Sequence, residues 1–130
     1  MKYLLDTNTV CFAIRGVGGV ADRLLAAQPA DVAISAVTEA ELWYGVVKRG
    51  ARSLRRAVEA VLSAMTVLPV TTPVARDYGV LRVWLERRGR AIGLADTFIA
   101  AHARSEGRTL VTNNTGHFAR VPDLIVEDWT

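Results

Sequence analysis

Tyr3-Leu4-Leu5-Asp6-Thr7-Asn8 is a short apolar run that stops at an acid. A buried strand does not carry an unpaired charge along its length, so a carboxylate at its last position has emerged from the core. In an open parallel α/β sheet, ligands bind in the crevice outside the carboxyl ends of the strands, and a polar group emerging there faces a site. The rest of the chain supports that setting. β-rich segments at residues 2–6, 32–35, 66–69, 109–112 and 124–127 alternate with helical stretches at 9–15, 20–27, 37–47, 53–64, 73–88 and 94–105. Such spacing implies βαβ crossovers, hence a largely parallel sheet with helices on both faces. Gly16-Val17-Gly18-Gly19 breaks the first two helices apart, and Pro29 closes the second. Pro73 opens a helix that Gly89 ends, and Gly50 and Gly107 stop two others.

The chain has 130 residues, 51% hydrophobic and 22% charged, which predicts one globular domain over 1–130. No linker, low-complexity tract or internal repeat interrupts it. One lysine precedes only three apolar residues at the start, too few for a signal peptide, and no segment approaches the roughly 18 apolar residues of a membrane helix. The expected location is therefore the cytoplasm, with no membrane partner. Cys11 has no second cysteine to pair with, in keeping with a reducing compartment, and reads as a small core residue of the first helix.

The net charge is +3, and all of the 16 basic residues except Lys2 and Lys48 are arginine. They concentrate in two segments, Lys48, Arg49, Arg52, Arg55 and Arg56, then Arg82, Arg87, Arg88 and Arg90. Arginine's planar fork suits phosphate oxygens and base stacking. Solvated helix C-termini, where cations are favourable in any protein, account for the same residues without RNA.

Two further carboxylates lie in apolar surroundings. Glu41 belongs to Thr38-Glu39-Ala40-Glu41-Leu42-Trp43-Tyr44-Gly45. Thr38-x-x-Glu41 matches a capping box, yet Val37, Ala40, Tyr44 and Val47 share Glu41's side of the helix and make it partly apolar. Glu39 points elsewhere as a solvated first-turn acid. Asp96 falls in the first turn of a helix that is apolar nearly all round, through Ala95, Phe98, Ile99, Ala100 and Ala101. The helix dipole favours an acid there, but burial makes a ligand role the better explanation. Asp6 itself is open to two roles, N-cap of the helix beginning at Thr9 or metal ligand, with Thr7 and Asn8 shaping the turn. If folding gathers Asp6, Glu41 and Asp96, their repulsion calls for a cation, and hard oxygen donors select Mg²⁺ or Mn²⁺. His102 lies on another face of its helix from Asp96 and reads as a packed, hydrogen-bonded core histidine. Thr112-Asn113-Asn114-Thr115-Gly116-His117 follows an apolar strand at the same sheet edge. Thr115 and Gly116 read as turn residues, while Thr112, Asn113 and Asn114 fit turn and site roles equally.

Taken in order, Leu4-Leu5-Asp6-Thr7-Asn8, Ile34-Ser35-Ala36-Val37-Thr38 with Glu41-Leu42 and Gly45, Gly93 to Ala103, Val111-Thr112-Asn113-Asn114-Thr115 with Phe118, Arg120 and Val121, and Glu127-Asp128-Trp129 resemble the PIN-domain ribonucleases. Among these they are most similar to the VapC toxins of bacterial toxin–antitoxin pairs. The resemblance covers the whole length. It implies an α/β fold built as a three-layer α/β/α sandwich around a mainly parallel five-stranded sheet. It also implies Mg²⁺- or Mn²⁺-dependent cleavage of RNA, with Asp6, Glu41 and Asp96 as the acidic site. The Asn-Asn-Thr block and the Glu-Asp-Trp ending look most like the branch that cuts initiator tRNA in its anticodon loop. One departure stands out: many PIN domains carry a fourth carboxylate near Asn114 or His117, and this chain has no acid from Thr109 to Pro122. One firmly bound ion is therefore expected, any second being recruited by the RNA.

On this resemblance Asp6 and Asp96 hold the ion, and Glu41 completes the site and orients or deprotonates the attacking water. Asn8, Thr112, Asn113, Asn114 and His117 position substrate or water, with His117 within reach of a phosphate. A cognate VapB-like antitoxin and a homodimer are implied, together with a folded RNA substrate. Ribosomal RNA maturation by the same residues is the alternative. A receiver-type signalling domain needs a lysine after a late strand, which Lys2 and Lys48 do not supply. No glycine-rich phosphate loop follows the first strand.

Overall fold

A computed structural model describes residues 2–130. In chain order the elements are β1 (Tyr3–Leu5), α1 (Thr7–Arg15), α2 (Val20–Ala26), a 3₁₀ turn (Pro29–Asp31), β2 (Val32–Ser35), α3 (Ala36–Arg49) and α4 (Arg52–Ala64). Then follow β3 (Thr66–Leu68), α5 (Thr72–Arg87), α6 (Leu94–Ser105), β4 (Thr109–Val111), α7 (Thr115–Phe118) and β5 (Val126–Glu127). The five strands form one sheet in the order β3-β2-β1-β4-β5, and every pairing is parallel.

Alternation along the central strands sends neighbouring residues to opposite faces. Leu4, Ala33 and Leu110 pack under α5 and α6, with Leu81, Leu85, Ile99 and Phe118. Leu5, Ile34 and Val111 pack on the other side beneath α1 to α4, with Val10, Val20, Leu42, Val46 and Val58. The expected three layers are therefore present. α5 and α6 are further joined by stacking of Tyr78 on Phe98 at 3.8 Å and by a two-pronged ion pair from Arg104 to Asp77, at 2.7 and 3.0 Å.

The strand order places β1 between β2 and β4, so chain progression reverses direction beside it. This is the switch point where parallel sheets open a crevice. α3 leaves the carboxyl end of β2, and α6 returns toward the amino end of β4, so the first turns of both helices lie at the edge where β1 ends. Gly93 supplies the bend into α6 at φ 95° and ψ 159°, which a side chain at Cβ would resist.

Some boundaries differ from expectation. α1 begins at Thr7, one residue after β1, and Thr115 and Gly116, expected as turn residues, open the helical turn α7. Leu124 and Ile125 lie outside β5. The closing Glu127-Asp128-Trp129 block is an anchor. Trp129 meets Tyr3 edge-on at 5.0 Å and donates to Glu127, which pairs with Arg23 at 2.6 Å. Gly18 suits that contact, since its φ of 66° disfavours a side chain and a Cβ would come within 3.2 Å of the Thr130 backbone. No helix among the described residues is long and apolar enough to cross a membrane.

Candidate active site

Asp6 is only 4% exposed and is fixed on three sides. Its amide donates to the Val111 carbonyl at 3.0 Å, its carbonyl accepts from Val10, and its Oδ1 accepts from the Thr9 amide at 2.9 Å. Asp6 therefore does cap α1, though that helix starts two residues earlier than expected. The cap and a ligand role are compatible: one oxygen is held by the helix, which aims the carboxylate, and the group has a second oxygen. The Thr9 hydroxyl donates to the same Val111 carbonyl at 3.0 Å, locking the ends of β1 and β4 together.

Glu41 is not part of a capping box. Ser35 caps α3 by accepting from the Val37 amide at 3.1 Å, which leaves Thr38 a full turn inside the helix and completely buried. Glu41 is turned instead toward β1, where its Oε1 accepts a 2.5 Å hydrogen bond from the Thr7 hydroxyl. Thr7 was expected only to shape the turn, and the sequence carried no sign of this contact across 34 residues. Of the apolar side chains beside Glu41, Val37 packs against the core, but Tyr44 is 67% and Val47 74% exposed. Glu39 lies in the first turn as expected, but it accepts from the Trp43 indole at 3.1 Å instead of being wholly solvated.

Asp96 is half-buried, its side chain 35% exposed, so it is more open than its apolar helix suggested. Its Oδ2 lies 3.1 Å from His117 Nε2, which is also 3.1 Å from the Ile92 carbonyl. Burial pushes the Asp96 carboxyl above the ordinary carboxylate range. His117 opposes that shift, while the negative charges of Asp6 and Glu41 add to it. That both acids act on Asp96 agrees with the topology, which brings the end of β1 and the first turns of α3 and α6 to one edge of the sheet. The half-buried Cys11 thiol is likewise pushed up, first by burial, against Arg15 and with a contribution from Asp6 and Glu41. Beside these acids Thr7, Asn8, Cys11, Arg15, Glu41 and Arg49 help to line a cavity of about 280 Å³.

Among the described residues no three His, Cys, Asp or Glu side chains close on a common point at ligating distance. Asp6, Glu41 and Asp96 thus stand further apart than donors to one ion. Their chemistry nevertheless suits a hard divalent ion: three carboxylates on two helices and a strand end, one imidazole, and no thiolate at the acids themselves.

The flanking polar residues divide. Asn8, Asn113 and Asn114 are exposed at the rim. Thr112 is fully buried, and its hydroxyl accepts from the Asn114 amide at 3.0 Å, so it shapes the loop and cannot meet substrate. His102, completely buried, is hydrogen-bonded through Nδ1 to the Ser35 hydroxyl at 2.9 Å, as a core histidine should be, and burial depresses its pKa. Lys48 and Arg49 do close α3, but Arg52, Arg55 and Arg56 lie in the first turns of α4, with no acid and no side-chain cap among them. Cations at a helix N-terminus oppose the dipole by about 0.3–1 kcal/mol each. Solvated helix C-termini therefore do not explain this cluster.

A parallel sheet of this order, with acids from β1, α3 and α6 at its carboxyl edge, defines a PIN domain; the family model for that domain matches residues 3–124, and the chain belongs to the family. Its likeness is to the VapC ribonucleases in particular. It is 39% identical to Ribonuclease VapC2 of Rickettsia felis, covering 99% of this chain and 98% of that protein. It is 38% identical to the tRNA(fMet)-specific endonuclease VapC of Shigella flexneri, covering 100% and 99%. Among solved structures, VapBC2 from Rickettsia felis bound to a DNA fragment from its promoter superposes with a TM-score of 0.89 at 36% identity, each chain covered in full.

Proposed function

We propose that this protein is the toxin of a toxin–antitoxin pair, an endoribonuclease that hydrolyses RNA phosphodiester bonds with Mg²⁺ or Mn²⁺ held by Asp6, Glu41 and Asp96. The observation that supports it is the sheet order, which sets the end of β1, carrying Asp6, at the switch point beside the first turns of α3 and α6, with Asp6 and Glu41 both acting on Asp96. A divalent ion bound there would neutralise charge growing on the phosphate and make a coordinated water more acidic. The chain's own groups supply the rest. Asp6 is aimed by its cap on α1, and Glu41, steadied by the Thr7 hydroxyl, orients or deprotonates the attacking water. Arg15 and Arg49 beside the cavity hold the RNA backbone, and the arginines opening α4 extend that hold. Asn8, Asn113 and Asn114 meet the substrate at the rim.

The substrate is a folded RNA, with tRNA first among candidates because a relative that aligns over the whole chain is named for tRNA(fMet). Solved relatives are VapBC complexes, which supports a VapB-like antitoxin as partner. We place that antitoxin over the acidic groove through a basic or aromatic segment, and the toxin itself as a cytoplasmic homodimer.

Inducible expression of the wild type and of Asp6→Asn, each checked for soluble folded protein, with mapping of new RNA ends, tests this. Arrest and discrete cleavage by the wild type alone are expected. Equal arrest by both proteins would remove the catalytic role.

A further inference from the structure

We propose that His117 is a direct ligand of the metal centre through Nε2, which gives the site a nitrogen donor and biases it toward Mn²⁺ over Mg²⁺. The proposal rests on the metal-dependent function given above and assigns the fourth donor of that centre.

The wall of the site formed by β4 and α7 contains no acid from Thr109 to Pro122. Among the described residues, His117 is the side chain of that wall that reaches an acidic oxygen: its Nε2 stands 3.1 Å from Asp96 Oδ2. Two donors at right angles on an octahedral ion with bonds of about 2.1 Å lie about 3.0 Å apart. The Asp96–His117 pair already has that separation. Without an ion the Ile92 carbonyl accepts from Nε2–H at 3.1 Å, a bond that coordination through Nε2 gives up, while edge-on contact with Phe118 at 5.4 Å still holds the ring. At 23% side-chain exposure it is neither sealed off nor free to swing through solvent. Coordination uses the tautomer that carries its proton on Nδ1, so the Nε2 proton moves to Nδ1 and the net charge of the ring is unchanged. Three carboxylates alone would suit Mg²⁺, which prefers oxygen. An imidazole in the set favours a first-row transition ion, of which Mn²⁺ is the one that also accepts carboxylates readily.

A hydrogen bond from Nε2–H to Asp96 with no metal contact would make His117 a positioning residue only. The two arrangements differ in a readout independent of cleavage. Full-length protein is loaded with Mn²⁺ and studied by pulsed electron paramagnetic resonance, in natural-abundance form and with ¹⁵N-labelled histidine. The expected result is an imidazole nitrogen coupling on Mn²⁺ that changes from the ¹⁴N to the ¹⁵N pattern with labelling. His102, the other histidine, is completely buried against Ser35 and does not reach the ion. In His117→Gln the coupling disappears, and Mn²⁺ affinity measured by calorimetry falls on the order of tenfold. In His117→Glu the coupling is absent, while Mg²⁺ affinity rises relative to Mn²⁺.

Mn²⁺ bound to the wild type without nitrogen coupling would overturn the assignment and leave the three-carboxylate site standing. The same holds if the coupling persists unchanged in His117→Gln. Absence of any Mn²⁺ or Mg²⁺ binding in the wild type would overturn both the assignment and the metal-dependent function. The labelled wild type decides the matter even if a variant fails to fold.

Discussion

Replacing Thr7 with valine removes one oxygen and nearly preserves the side chain's shape. What is lost is the 2.5 Å hydrogen bond to Glu41 Oε1, which joins the first turn of α1 to the second turn of α3, together with a longer 3.4 Å contact to the Thr38 hydroxyl. A hydrogen bond to a charged group is worth about 1.5–3 kcal/mol. Thr7 and Glu41 are both only half-buried, so water partly replaces the bond and the lower end applies. If that energy serves to hold Glu41 against the attacking water, its loss falls on the rate, and about 1.4 kcal/mol is a tenfold change. Thr7→Val is therefore expected to lower kcat about tenfold with little change in KM, while Thr7→Ser, which keeps the hydroxyl, stays within about threefold of wild type. Single-turnover cleavage of an end-labelled RNA at saturating Mg²⁺ measures this, with circular dichroism to confirm that α1, capped independently by Asp6 through Thr9, is intact. Wild-type rates in Thr7→Val, or an equal loss in Thr7→Ser, would refute the role given to the hydroxyl.

Asp96 is held above its ordinary pKa, so its ionised form is disfavoured by the fold. Stability then falls as pH rises from about 3.9 through the native pKa. Metal-free Asp96→Asn should melt higher than wild type at pH 7, with the gap closing below about pH 4, while cleavage is lost; a gap that widens in acid would contradict this. His102 is depressed by burial foremost, with Arg108 adding and Glu106 opposing. The unfolded chain takes up a proton first as pH falls through about 6.5, so stability is lost below that value, and His102→Asn should flatten the thermal-melt profile between pH 7 and 5. Asp77→Asn leaves Arg104 partly desolvated between α5 and α6 and should cost about 2 kcal/mol, or roughly 6–10 °C in Tm. Glu39→Gln should leave cleavage near wild type, because Glu39 faces Trp43, whereas Glu41→Gln should abolish it; comparable losses would mean that the wrong glutamate has been placed in the site.

The alternation of apolar runs and helical stretches was enough to place the strands and helices, because a parallel sheet buried on both faces leaves near-continuous apolar strands that the sequence displays directly. Asp6 was legible for the same reason, as the acid that ends such a run. Glu41 and Asp96 were legible as residue types, but their local explanations were not. The capping box around Glu41 matched in spacing and failed in structure, since Ser35 takes the cap three residues earlier and only the register at the end of β2 decides that. Tyr44 and Val47 looked like core by helical period and are exposed, because period reveals that a face is apolar and not whether anything covers it. The contacts of Thr7 with Glu41 and of His117 with Asp96 join residues far apart in sequence, 34 and 21 positions, and no single-chain pattern encodes a meeting of that kind. Thr112 shows the converse. A hydroxyl at the proper sheet edge was drawn into its own loop by the nearest free amide, that of Asn114.

The central claim is that Asp6, Glu41 and Asp96 share one divalent ion and that RNA cleavage depends on it. Protein stripped with chelator and supplied with end-mapped RNA is the direct test. Cleavage should vanish on stripping, return with added Mg²⁺ or Mn²⁺ in the wild type, and fail to return in folded Asp6→Asn at any concentration of either ion. Undiminished cleavage by the stripped wild type, or full rescue of Asp6→Asn, would contradict it.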